Sequence, residues 1–257
     1  MHAEMVLLMS TLYGFLLVLT RVGSALIFVP LPGVRQGPEA ARVILALSLT
    51  IALFPQWPPV DSEPSLGMLA GWIVSEAALG ILFGLLVGFW AEAMQLAAQA
   101  VGLEAGFAYA SMVDPQTQAD SGVLLVFAQL AAGLLFFSLG LDREVVRIFA
   151  RSLETFPPGA LLAPGPAMEA VLRLGAGMFT TGVRLALPCL ALLALVDIAL
   201  ALVGRLNAQL QLLTLAFPLK MLATLVVLAW LLPVFPRVLG PYGGQIMAGM
   251  RAVVQQR

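Results

Sequence analysis

LGMLAGWIVSEAALGILFGLLVGFWAEAMQLAAQAVGL, residues Leu66–Leu103, runs for 38 residues without a proline and with only two charges, Glu76 and Glu92. No alternation of polar and apolar positions survives in it, so it reads as helix and not as strand. At 1.5 Å per residue a straight helix of this length would reach roughly 57 Å, well beyond a hydrocarbon core of ~30 Å. The run therefore either bends back as a hairpin or protrudes far from a bilayer.

On its N-terminal side lies Val43–Phe54, 12 residues long, which is short for a span of ~20 residues. It ends at Pro55 and the turn-rich QWPPVDSEP stretch. Before it, Met5–Val29 is apolar apart from Arg21 and stops at Pro30 and Pro32-Gly33. With Glu4 and no Lys or Arg ahead of Arg21, this first segment is expected to be retained and not cleaved as a signal peptide. On the C-terminal side a polar interlude, Glu104–Gly122, leads into the apolar run Val123–Leu141. Asp142–Glu154 then alternates charge with Val, Ile, Phe and Leu, the pattern of an amphipathic helix at an interface. Phe156-Pro-Pro-Gly159 and Pro164-Gly-Pro166 break the chain ahead of a second long run, Met168–Val203. Arg205–Gln211 reads as a polar turn, and Leu212–Leu232 as the last hydrophobic helix. The expected fold is all-α, a membrane-associated protein of long broken helices and hairpins.

Composition agrees. Of 257 residues, 61% are hydrophobic and 11% charged, against about 45–50% and about 25% in soluble domains. A mean hydropathy of +0.99 excludes an ordinary water-soluble enzyme. Lys and Arg total 13 against 14 Asp and Glu, so there is no basic face for nucleic acid. One histidine, His2, and one cysteine, Cys189, leave no zinc cluster, no Ser-His-Asp triad and no internal disulfide. HExxH and GxGD are both absent, so no intramembrane protease constellation is present. No cofactor, no metal and no catalytic residue is expected.

Loop charges conflict with simple spanning. Arg35 and Arg42 favour a cytoplasmic first loop. If the 38-residue run crosses once, the acidic loop with Glu104, Asp114 and Asp120 becomes cytoplasmic, and the one with Arg143, Arg147 and Arg151 lies outside. Both are backwards. A hairpin within the run would repair this, and so would unconventional topology.

Within the long run, Gly84, Gly88, Glu92, Gln95, Gln99, Gly102 and Gly106 recur at spacings of three and four, which puts them on one helix face. Gly80, Gly84 and Gly88 also form GxxxG repeats that let another backbone approach. The stripe reads either as a packing seam or as a face turned to a hydrated channel. Arg21, Glu76, Glu92, Arg184, Asp197 and Lys220 are intramembrane charges, functional candidates or interhelical glue. Cys189 reads as a small core residue. The interlude EAGFAYASMVDPQTQADSG is too long for an ordinary helix connection of about 2–8 residues. It suits a gating or plugging segment.

Three stretches together carry a family resemblance. GMFTTGVRLALPCLALLALVDIALALVGRLNAQLQLLTLAFPLK, Gly177–Lys220, resembles the C-terminal half of the FliR family of type III export-gate proteins. Arg205, Gln209, Phe217, Pro218 and Lys220 match its pattern; Ala208, Gln211 and Ala216 depart from it. AVGLEAGFAYASMVDP, Ala100–Pro115, is similar to the family's glycine-rich approach to an Asp-Pro. Arg21, Pro30, Gly33 and SLETFPPG also fit in order.

The resemblance implies a non-enzymatic gate subunit in the bacterial inner membrane at the flagellar basal body. It implies partners FliP (about five copies), FliQ (about four copies), FlhB and FlhA, with unfolded export substrates, and one export-gate domain over residues 1–257. Residues 1–166 would be FliP-like and 167–257 a FliQ-like hairpin with a C-terminal tail. The segment 104–122 would plug the closed channel, with Gly106, Phe107, Ala108, Tyr109, Met112, Asp114 and Pro115 as plug residues. Glu92, Gln95 and Gln99 would stand on the approach. Alternatives are a virulence injectisome subunit with the same mechanism, a small secondary transporter, or a purely structural scaffold.

Overall fold

The computed structural model describes residues 2–30, 39–60, 64–107, 122–160, 164–206 and 212–255. All regular structure among the described residues is helical. Helix α1 spans His2–Leu26, and α2 spans Glu39–Ala52. A short 3-10 turn, Phe54–Gln56, follows α2, with Pro55 at its start where no backbone N–H is required.

The quoted run forms one helix, α3, Leu66–Glu104, with no internal break. The hairpin alternative is thereby excluded. Its 39 residues correspond to about 58 Å at 1.5 Å per residue. Repair of the loop-charge conflict by a hairpin fails with it.

Helices α4, Gly122–Ser138, and α5, Leu141–Thr155, are separated at Gly140, whose φ of +69° is a left-handed conformation that costs glycine little. The expected amphipathic helix is α5. It buries Leu141, Val145, Ile148, Phe149, Ser152 and Leu153 along one face. Helix α6, Pro164–Leu206, carries Pro188 in its interior, and α7, Leu212–Leu231, carries Pro218.

The sequence pattern had α7 as the last helix. Instead a 3-10 turn, Leu232–Val234, leads into α8, Phe235–Gln255. Pro236, Gly240, Pro241, Gly243 and Gly244 obscure this helix in the sequence. Beneath them Phe235, Leu239, Tyr242, Ile246, Met250 and Val253 keep helical spacing, and all six are buried.

The chain divides into two compact units. The first comprises Met1–Phe89, Phe136–Ala176 and Gly243–Arg257; the second comprises Trp90–Leu135 and Gly177–Tyr242. In the first unit Val18 and Val22 of α1 pack with Leu53 and Leu153, flanked by Leu49 and Trp57. Trp57 stacks obliquely on Phe15, and its indole N–H donates to the Thr50 carbonyl at 2.9 Å. In the second unit the buried indole of Trp90 donates to the Leu239 carbonyl at 3.2 Å, and Gly182 lies against Ala93 and Leu96.

Among the described residues, four helical stretches are long and apolar enough to cross a membrane: Leu8–Leu26, Leu66–Glu104, Ala167–Arg205 and Ala216–Gln255. The broken pair α4–α5 makes a fifth if counted as one span. Leu172, Phe179, Leu187, Leu195, Ile198 and Leu202 leave a broad apolar face of α6 exposed, which water would not tolerate. The protein is an all-α, multi-pass membrane protein.

Candidate functional site

Three polar clusters follow one another along α3. The first ties it to α1 and α5. Arg21 is 1% exposed and its partner Glu76 2%. The guanidinium grips both oxygens of the Glu76 carboxylate, with Nη2 donating to Oε1 at 2.9 Å and Nε to Oε2. Its remaining donors reach the end of α5. Nη1 donates to the Ser152 carbonyl at 2.8 Å and to its hydroxyl at 3.1 Å, and Nη2 donates to the Phe156 carbonyl at 3.2 Å. A helix leaves its last carbonyls without intrahelical donors and its C-terminus partly negative. Arg21 therefore answers two needs at once, the Glu76 charge and the end of α5.

The close approach of α1 that makes this possible is set by glycine. Gly80 lies against the Arg21 carbonyl and the Ser24 hydroxyl. A methyl group at Gly84 would come within 2.8 Å of the Ala25 Cα, and one at Gly88 within 3.1 Å of the Phe28 carbonyl oxygen. Glu76, Gly80, Gly84 and Gly88 thus form a four-residue ladder facing α1. The glycine end of the sequence stripe is a helix contact.

The second cluster lies further along α3. Gln129 of α4 donates through Nε2 to Gln95 Oε1 at 3.2 Å, and Gln95 donates through its own Nε2 to Glu92 Oε1 at 3.1 Å. Gln95 is buried, Glu92 half-buried, and Gln99 exposed. Gly102 is buried, in ordinary contact with Leu124. The stripe is one face by register, yet its members meet different surroundings.

The third cluster closes α3. Lys220 of α7 pairs with the Asp197 carboxylate of α6 and stands 3.8 Å from the Glu104 carboxylate. It also donates to the Glu104 backbone carbonyl at 3.5 Å. Asp197 and Lys220 lie nearly equally far in sequence from the 207–211 segment, so their ion pair means that α6 and α7 fold back beside one another. Immediately after Glu104 the chain turns: the Gly106 N–H donates to the Leu103 carbonyl at 3.2 Å, with Gly106 at φ +81°. A methyl group there would overlap the Phe217 ring.

Of the expected plug residues, Gly106 is buried and Phe107 half-buried. Ala108, Tyr109, Met112, Asp114 and Pro115 lie outside the described residues. Among the intramembrane charges, Arg21 joins Glu76 and Lys220 joins Asp197, while Arg184 is exposed on α6. Cys189 is buried in α6. Sequence reasoning did not find Gln129, and it met Ser152 and Phe156 only within SLETFPPG, without their partner Arg21. Phe217 was found only as part of a motif, without its partner Gly106.

Comparison with known proteins gives the family. The family described as bacterial export proteins, family 1, matches residues 12–242. The chain belongs to this family. Among the members of bacterial export protein family 1 similar to this chain is the flagellar biosynthetic protein FliR of Escherichia coli (strain K12). It is 29% identical over 216 residues, covering 84% of this chain and 82% of its own length. The FliR of Pectobacterium carotovorum subsp. carotovorum is 26% identical over 225 residues, covering 87% of this chain and 84% of its own. The FliR of Bacillus subtilis (strain 168) is 27% identical over 222 residues, with 84% of each chain covered. Family membership and the apolar spans together make this a membrane-embedded export protein.

Proposed function

We propose that this chain is a subunit of the flagellar protein export apparatus of the bacterial inner membrane, and that it helps form and close the channel through which unfolded flagellar proteins pass. The observation that carries the reading is the family match over residues 12–242, joined by relatives that bear the name flagellar biosynthetic protein FliR. Those names favour the flagellar system over a virulence injectisome.

In this reading the exposed apolar faces are assembly surface. They meet FliP in about five copies and FliQ in about four, with FlhB and FlhA beside them. Residues 1–166 act as the FliP-like part. Residues 167–257 act as the FliQ-like part, a role supported by the fold-back of α6 on α7. The chain carries out no reaction; energy comes from other components, and the subunit's work is to shape and seal a path.

Closure falls to the segment 104–122, with Gly106, Phe107, Ala108, Tyr109, Met112, Asp114 and Pro115 at its heart. Irregular backbone at membrane depth is tolerated where it is enclosed by protein or lines a cavity. The small residues of EAGFAYAS suit such enclosure. Gln95 is engaged by Glu92 and Gln129 and serves helix packing, whereas exposed Gln99 is the member of the stripe suited to face a path.

Deleting Ala108–Gln118 in cells that express the complete apparatus tests this. Ion or small-solute leak should rise while the subunit still co-purifies with its partners. An unchanged leak from an assembled complex would sink the plugging role. Flux of a solute through the purified chain alone would instead identify a secondary transporter.

A further inference from the structure

We propose that Lys220 and Phe217 are positioning residues of the export path, which hold the exit turn of α3 at Glu104–Gly106 and thereby fix where the chain enters the segment assigned above to channel closure. This inference rests on that assignment, but its observations are independent of it.

Three contacts converge on one turn. Lys220 reaches the Glu104 carbonyl, the last residue of α3, where the helix leaves an acceptor without an intrahelical donor. A cation there also opposes the partial negative charge of the helix end. The same ammonium group is shared between the Glu104 and Asp197 carboxylates, so it binds α3 to α6 as well as to its own helix α7. Two residues on, Gly106 adopts a left-handed φ of +81°, and the space a side chain would take is filled by the Cδ1–Cε1 edge of Phe217. An L-residue at that position would be strained twice, by its backbone angle and by the ring.

Phe217 and Lys220 are three residues apart on α7 and so share one face of that helix. One supplies shape and the other charge to the same turn. Lys220 is 14% exposed, against 42% for Asp197 and 45% for Glu104. The cation is thus the enclosed member, with two more accessible carboxylates competing for it. Exchange of Lys220 between these carboxylates would alter its hold on the α3 terminus without breaking the helix hairpin.

The test measures leak per assembled complex, in cells expressing the whole apparatus, with co-purified partner subunits quantified alongside. Lys220→Met should raise leak roughly tenfold, the scale set by loss of one charge-assisted contact. Lys220→Arg should restore most of the seal, whereas the swapped pair Lys220→Asp with Asp197→Lys should not, because it sets a carboxylate against Glu104 and the α3 carbonyl. A merely structural role would lower complex yield and leave leak per complex unchanged. If Lys220→Met fails to co-purify, Glu104→Gln replaces it; it weakens the side-chain contact to Lys220 and keeps the backbone one, so a smaller rise is expected.

Wild-type leak in the assembled variant, alongside a leaking Ala108–Gln118 deletion, overturns the positioning role and leaves the plugging role intact. Wild-type leak in both overturns both. A rise in leak that Lys220→Arg does not reverse also counts against the charge argument.

Discussion

Replacing Arg21 by methionine removes five hydrogen bonds in one step and leaves the Glu76 carboxylate, 2% exposed, without its counter-ion. Breaking a buried ion pair by deleting one partner costs about 3–5 kcal/mol, because the remaining charge is stranded. The Phe156 carbonyl is orphaned too, but its cost overlaps with the first and is not simply added. Glu76→Gln keeps the shape and one acceptor, so its cost should be smaller, about 1–3 kcal/mol. The informative variant is the double one. Arg21→Met with Glu76→Leu replaces both charges by apolar groups, and such replacements are often neutral. With Arg21→Met and Glu76→Leu as the single variants, the double variant should be more stable than the sum of their losses predicts, with a coupling energy of at least about 2 kcal/mol. Equilibrium unfolding of the detergent-purified full chain, followed by tryptophan fluorescence, gives all the numbers needed. Single variants costing under about 1 kcal/mol, or a double variant equal to the sum of the singles, would refute the stranded-charge reasoning.

Two further outcomes follow from packing. Gly80→Ala forces a methyl group onto the Arg21 carbonyl and should cost about 1–3 kcal/mol, whereas Gly71→Ala, in open space on the same helix, should be neutral or stabilising by up to about 1 kcal/mol; equal effects in the same unfolding assay would contradict the α1–α3 seam. Cys189 is the sole thiol and is buried, so a maleimide should label the native protein slowly and the SDS-denatured protein fully. Rapid native labelling would mean that α6 is packed differently.

Much of this architecture was legible because lipid-embedded helices announce themselves by length and apolarity. The helical character of α3 followed from 38 largely apolar residues without a proline, and α5 from its alternation of charge with large apolar residues. The choice between hairpin and rod was not legible, since nothing in local sequence distinguishes a helix that turns back from one that continues. Helix α8 was masked by prolines that a membrane or neighbouring helices can accommodate. Counting Phe235, Leu239, Tyr242 and Ile246 at helical spacing would have found it. Charge pairing was the hardest part. Arg21, Glu76, Asp197 and Lys220 were all visible as intramembrane charges, but Arg21 and Glu76 are separated by 55 positions, and only the close approach permitted by Gly80 and Gly84 brings them together. Lys220 could be read as a motif residue and not as the group that caps α3, because helix ends attract cations through backbone acceptors that carry no sequence signature.

The way the chain is threaded has a consequence for biogenesis. The first unit draws on three separate lengths of sequence, and its last length, Gly243–Arg257, is synthesised after both lengths of the second unit. That late arrival is structural: Ile246, Met250 and Val253 are buried, Arg251 reaches Glu144 at 3.5 Å, and Gly249 lies against Leu174. Domains usually fold in the order in which they are made, but here neither unit can be finished and set aside before the other begins. Until the C-terminal helix arrives, Leu174 of α6 and Glu144 of α5 lack the contacts that Gly249 and Arg251 supply. Maturation of this subunit is therefore a single late event instead of a sequence of completed parts. Truncation beyond Tyr242 would stall the whole polypeptide at an adhesive intermediate, suited to capture by partner subunits or to quality-control proteolysis.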